Sequence, residues 1–143
     1  MARQALKPFI FGLIVIFLGS FVVTFFNIYN AFPQLDKLFH VTGGFILAWF
    51  FSQIWANELK LLNFFQRLVI YMGVAVLIGV FWEIMEFSTS LPPLYNNQIL
   101  RHYIYGGSLA DTLADLMADI LGAGIFGLLW LNFKIFNTTE NRK

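Results

Sequence analysis

The sequence predicts an all-α integral membrane protein, a single domain over residues 1–143 built as a bundle of four transmembrane helices with both termini in the cytoplasm. Composition is the first reason: 59% of residues are hydrophobic and 12% are charged, against roughly 25% charged in a soluble domain. The second is length of apolar run, because about 18 consecutive apolar residues suffice to cross a hydrocarbon core of roughly 30 Å as a helix. The third is a lopsided distribution of Lys and Arg between the two sides that such runs define.

Helix 1 is expected from about Phe9 to Ile28, after Arg3, Lys7 and Pro8. Its apolar stretch is long for a signal peptide and no A-x-A site follows, so it is expected to remain as an anchor. Helix 2, about Leu38 to Trp55, is apolar apart from His40, Thr42, Ser52 and Gln53. Helix 3, about Leu68 to Phe87, carries its only charges, Glu83 and Glu86, in its last two turns, and Pro92 and Pro93 then stop it. Helix 4, about Thr112 to Phe133, holds Asp115 and Asp119 in its first half.

With four spans, one side receives Arg3, Lys7, Lys60, Arg67, Lys134, Arg142 and Lys143, and the other only Lys37 and Arg101. That seven to two split places both termini in the cytoplasm and the 29–37 and 88–111 loops on the non-cytoplasmic side of the cell membrane. Trp55, Tyr71 and Trp130 near the inner ends, and Tyr29, Tyr95, Tyr103 and Tyr105 near the outer ends, fit interfacial aromatic belts. Small residues allow helix backbones to approach in lipid. Helix 4 repeats Ala114, Ala118 and Gly122 at four-residue spacing and adds Ala123 with Gly127, while Gly43, Gly44, Gly73 and Gly79 offer matching surfaces on helices 2 and 3.

Several function classes are excluded or lack a signal. Nine basic residues scattered among eight acidic ones form no patch for nucleic acid. The absence of Cys removes disulfides, thiolate ligands and Cys nucleophiles. There is no internal repeat, Walker-type loop or nucleophile elbow.

The charged residues converge in depth. Asp36 and His40 lie one turn apart at the outer start of helix 2, Glu83 and Glu86 at the outer end of helix 3, and Asp111, Asp115 and Asp119 descend one side of helix 4. At a rise of about 1.5 Å per residue, His40, Glu83 and Asp115 fall roughly 6 Å deep and Asp119 roughly 12 Å deep. Charged groups at such depth are costly against lipid, so they should face the bundle interior. Six carboxylates share this half with only Lys37 and Arg101, an excess of four that His40 and His102 reduce to two if protonated. The remainder must be protonated, hydrated or paired with a bound cation.

Structural roles account for some of these residues. Asp36 reads as the N-cap of helix 2, Ser108 with Asp111 as a capping box for helix 4, Glu86 as a solvated interfacial group, and Arg101 and His102 as loop polarity. For Arg101 and His102 the alternative is that they fold over the site and contact an anionic group. The metal-ligating candidates are His40, Glu83, Glu86, Asp115 and Asp119; the catalytic candidates are Glu83 and Asp115, each able to serve as a base.

The order Asp36-Lys-Leu-Phe-His40, Phe81-Trp-Glu83-Ile-Met-Glu86 and Asp111-Thr-Leu-Ala-Asp115-Leu-Met-Ala-Asp119-Ile-Leu-Gly-Ala123 resembles the VanZ-like group of small membrane proteins. It is most similar to the YjdF-type branch, with its Asp-x-x-x-His, Glu-x-x-Glu and Asp-x-x-x-Asp elements in that order. The resemblance covers about Asp36 to Gly127, and Glu86, Asp119 and the long 88–110 loop fit the YjdF type better than VanZ itself. It implies a membrane bundle with a polar site and supplies no reaction.

Three functional readings follow. One is an outer-leaflet site holding a divalent cation, Mg²⁺, Mn²⁺ or Zn²⁺, and acting on a lipid-linked or cell-envelope substrate. Another is a proton- or cation-coupled transport component, for which four short spans require a homo-oligomer. The third is a non-enzymatic envelope factor binding membrane lipid, a glycopeptide or a partner protein.

Overall fold

A computed structural model describes residues 2–26, 28–32, 34–92, 94–97 and 108–140. Arg101, His102, Tyr103, Tyr105, Arg142 and Lys143 lie outside the described residues. Among the described residues every regular element is helical: α1 (Ala2–Leu13), a π-helical segment Ile14–Leu18, α2 (Gly19–Phe25), α3 (Ile28–Ala31), α4 (Leu35–Ile54), α5 (Ala56–Lys60), α6 (Phe64–Thr89), a 3₁₀ turn Leu94–Asn96, and α7 (Leu109–Glu140).

Among the described residues, three segments are long and apolar enough to cross a membrane: Leu6–Phe25, Phe64–Thr89 and Leu109–Trp130. The first is not one uniform helix. It begins at Ala2, ahead of the expected Phe9, and runs through Pro8, which is almost fully buried. The hydrogen-bond register then loosens to the π pattern over Ile14–Leu18 before α2 resumes.

The helix expected from Leu68 starts earlier, at Phe64, because Asn63 caps it. Asn63 Oδ1 accepts from the Gln66 backbone at 3.0 Å and Gln66 Oε1 accepts from the Asn63 backbone at 2.9 Å, a reciprocal capping box. At 20 residues, α4 has the length of a span but opens on Asp36 and Lys37. It is central, packing against α1, α6 and α7, while α6 also packs against α7.

Backbone proximity between α4 and α7 depends on two glycines. A Cβ at Gly44 would run into the backbone of Asp119, and one at Gly122 into the Val41 carbonyl. Gly73, by contrast, has nothing within 4 Å of where its Cβ would stand, so it does not pack the bundle as expected. The glycine pattern identified small faces, and packing decides which of them meets a neighbour.

The bundle has two chemically distinct ends. Where α4 finishes and α6 begins, Ala48, Leu59, Tyr71, Ala75, Ala123 and Phe126 form an apolar core. Phe126 meets Phe45 edge-on at 5.4 Å and 90° and Tyr71 at 5.4 Å and 81°. Tyr71, expected at the interface, is 2% exposed and belongs to this core. The opposite end, where α4 and α7 begin and α6 finishes, is polar inside.

Candidate functional site

The local sequence delivers the polar side chains to that end. Four-residue steps align Asp36 with His40 on α4 and Asp111, Asp115 and Asp119 on α7, and Glu83 lies near the finish of α6. These faces turn inward and lose water. His40 is 9% exposed, Glu83 8%, Asp115 2% and Asp119 4%.

An upper tier is organised by Lys37. Its Nζ donates to Asp111 Oδ1 and Asp115 Oδ1, each at 2.6 Å, and to Asp36 Oδ2 at 3.2 Å. One ammonium thereby ties the first turn of α4 to the first two turns of α7. Charge-assisted contacts of this length are the strong kind of hydrogen bond.

A lower tier surrounds His40. Its Nδ1 lies 3.3 Å from Asp119 Oδ1, while Nε2 lies 3.7 Å from Asp115 Oδ1 and 3.9 Å from Glu83 Oε1. Glu83 is steadied from the other side, where Thr112 Oγ1 donates to Glu83 Oε2 at 2.7 Å. Among the described residues, two buried carboxylate oxygens, Glu83 Oε1 and Asp119 Oδ2, have no hydrogen-bond partner.

The matched depth of His40, Glu83 and Asp115 corresponds to a real convergence, with Asp119 joining through His40. Glu86 is placed differently: Trp82 Nε1 donates to Glu86 Oε1 at 2.7 Å, and no ion pair or hydrogen bond among the described residues joins it to His40. Asp36 is not the N-cap expected. Gln34 takes that position without a side-chain cap bond, and Asp36 lies in the first turn and pairs with Lys37. The Ser108 half of the expected cap forms, its Oγ accepting from the Asp111 backbone at 3.3 Å, but the Asp111 carboxylate turns to Lys37.

Asp36, His40 and Asp115 each offer one ligand atom within 4.8 Å of the others, a spacing that could hold a metal ion. Asp36 was absent from the ligand set read from sequence because its place before an apolar run has a sufficient explanation in capping. Lys37 and Thr112 were missed as well. The signal for Lys37 was its scarcity, with Arg101 one of two Lys and Arg residues against six carboxylates in the half of the bundle expected on the outer side. Thr112 left no signal, since its role exists only across the α6–α7 interface.

Fold and site together define an all-helical membrane protein with a buried carboxylate, imidazole and ammonium network at one end of its bundle. The chain belongs to the DUF2238 family of predicted membrane proteins, whose profile matches residues 1–135. It is similar to an uncharacterised protein of Thermotoga maritima, 35% identical over 111 residues, which covers 75% of this chain and 53% of that relative. This chain thus spans about half the length of the relative it matches. No solved structure matches it.

Proposed function

We propose that α4 joins the three long apolar segments as a fourth span and that the polar end is a divalent-cation site opening to the non-cytoplasmic leaflet. The protein in this reading acts on a lipid-linked or cell-envelope substrate, the direction suggested by the resemblance of its acidic motifs to VanZ-like and YjdF-type proteins. One observation carries the cation reading: Glu83 Oε1, beside His40 Nε2 at 3.9 Å, and Asp119 Oδ2, which faces Gly79, are buried with no hydrogen-bond partner among the described residues. A buried acceptor left unsatisfied costs about 1–3 kcal/mol, more if charged. A bound cation offsets that cost as no apolar neighbour can.

The donors fit. Carboxylate oxygens with one imidazole suit Mn²⁺ or Zn²⁺, and Mg²⁺ with a larger share of oxygen and water. Asp36, His40 and Asp115 would hold the ion, with Glu83 and Asp119 lining the lower side. When bound, the ion would polarise a phosphoryl or carbonyl oxygen of the substrate. Between the two candidate bases, Glu83 is the better placed. Thr112 fixes one of its oxygens and turns the other toward His40, whereas Asp115 Oδ1 is bonded to Lys37.

Metal analysis of the full chain, gently purified in detergent, tests this reading. Wild type should carry about one divalent ion per chain, and His40→Ala, Glu83→Gln and Asp115→Asn should carry much less. Wild type with no metal and no uptake of added Mn²⁺ would overturn it. Ligand binding unaffected by chelation would favour the non-enzymatic envelope factor instead.

A transport component is the second reading, favoured by the stepped placement of Asp111, Asp115 and Asp119 with Lys37 and His40 linking successive steps. Proteoliposome flux that falls in Asp119→Asn, from a homo-oligomer, would support it. Flux insensitive to that change would count against it.

A further inference from the structure

We infer that Lys37 is a tethered occupant of the cation site, its ammonium holding the place that a divalent ion takes only by displacing it. This rests on the cation reading above.

The same two carboxylates serve both. Lys37 Nζ lies 2.6 Å from Asp115 Oδ1 and 3.2 Å from Asp36 Oδ2, and Asp36 and Asp115 are two of the three residues whose ligand atoms cluster within 4.8 Å. A metal–carboxylate bond is about 2.0–2.2 Å long. An ion held by Asp36 and Asp115 and an ammonium bonded to the same two carboxylates would be neighbouring like charges. Each therefore weakens the other's hold.

The remaining geometry makes displacement feasible. Lys37 has 31% of its side chain exposed, so its flexible four-carbon stem has a route out to solvent. Below it, the free oxygen of Glu83 lies 3.9 Å from His40 Nε2 on a side chain only 8% exposed. The ammonium satisfies Asp36, Asp111 and Asp115 and leaves this lower oxygen unmet. A divalent ion brings twice the charge, and it is the lower tier that gains. The exchange therefore discriminates against monovalent ions, which would replace one unit of charge with another and give up three hydrogen bonds.

A structural lysine and a competing lysine differ in sign. If Lys37 only braces the fold, removing it lowers stability and weakens metal binding together. If it competes, Lys37→Gln lowers the stability of the metal-free protein and tightens metal binding.

The test uses the full chain in detergent, titrated with Mn²⁺ and read by electron paramagnetic resonance of the free ion. Lys37→Gln is expected to bind Mn²⁺ about tenfold tighter than wild type, and Lys37→Arg, which keeps the charge, to stay near wild type. A second readout does not depend on the variant folding. In wild type, acetylation of Lys37 by a water-soluble acylating reagent, followed by peptide mass spectrometry, should accelerate several-fold on saturation with Mn²⁺ while Lys60 does not change.

Wild type that binds Mn²⁺ with no tightening in a folded Lys37→Gln, or with no change in Lys37 acetylation, overturns the inference and leaves the cation site standing. Mn²⁺ binding to neither wild type nor Lys37→Gln overturns both.

Discussion

At the scale of single residues the site is organised by polar atoms that each do one thing. Thr112 presents a single hydroxyl to Glu83, 2.7 Å away, and so decides which carboxylate oxygen stays free. Removing that hydroxyl without changing shape should be costly in both stability and placement. Thr112→Val is expected to destabilise the protein by about 1 kcal/mol, the usual net worth of such a bond, and to weaken Mn²⁺ binding several-fold. Thr112→Ser should restore both. Thermal unfolding in detergent alongside Mn²⁺ titration reads the two effects, and Thr112→Val matching wild type in both would show that Glu83 needs no orientation from α7.

At the scale of elements, the α4–α7 crossing sets the distance across which Lys37 and His40 reach their partners. Gly44 and Gly122 sit where each backbone meets the other, and an alanine at Gly44 would require Asp119 itself to move. Gly44→Ala should therefore cost about 1–3 kcal/mol, the range for overpacking, and impair metal binding through Asp119. Gly124→Ala meets nothing within 4 Å and should be neutral or slightly stabilising, because Ala is the better helix former. Equal melting temperatures for the two variants would refute the close-packing role assigned to Gly44.

The same elements show what sequence could reveal. Apolar length located the main helices, small-residue spacing marked their packing faces, and counting depth from their ends brought His40, Glu83 and Asp115 to one level. Those are properties of a helix read by itself. What escaped depends on which helix lies opposite: Gly73 has a small face and no neighbour, Tyr71 looks interfacial but packs on Phe126, and Asp36 looks like a cap but faces Lys37. The early start of α6 was legible in principle, since Asn63 and Gln66 have capping-box spacing, but the apolar run that marks a span begins after them.

At the scale of the whole molecule the contacts of α4 bear directly on how many times the chain crosses the bilayer. Near its start, His40 lies level with Glu83 close to the end of α6; near its finish, Ala48 packs in the core with Tyr71 and Ala75 from the first half of α6. An element matched to α6 at both levels runs antiparallel to it through the same depth. In the proposed four-span reading α4 would cross beside α6, which is long and apolar enough to cross, with its polar residues turned to α6 and α7. Four crossings return the C-terminus to the side of the N-terminus, whereas three would part them. Fusions carrying a reporter active only in the cytoplasm and one active only outside it distinguish these outcomes. Reporters at the N-terminus, after Leu62 and at the C-terminus should read cytoplasmic, and one after Asn97 should read non-cytoplasmic, in keeping with the seven to two division of Lys and Arg. Termini on opposite sides would remove α4 from the membrane and, with it, the claim that His40 works at depth.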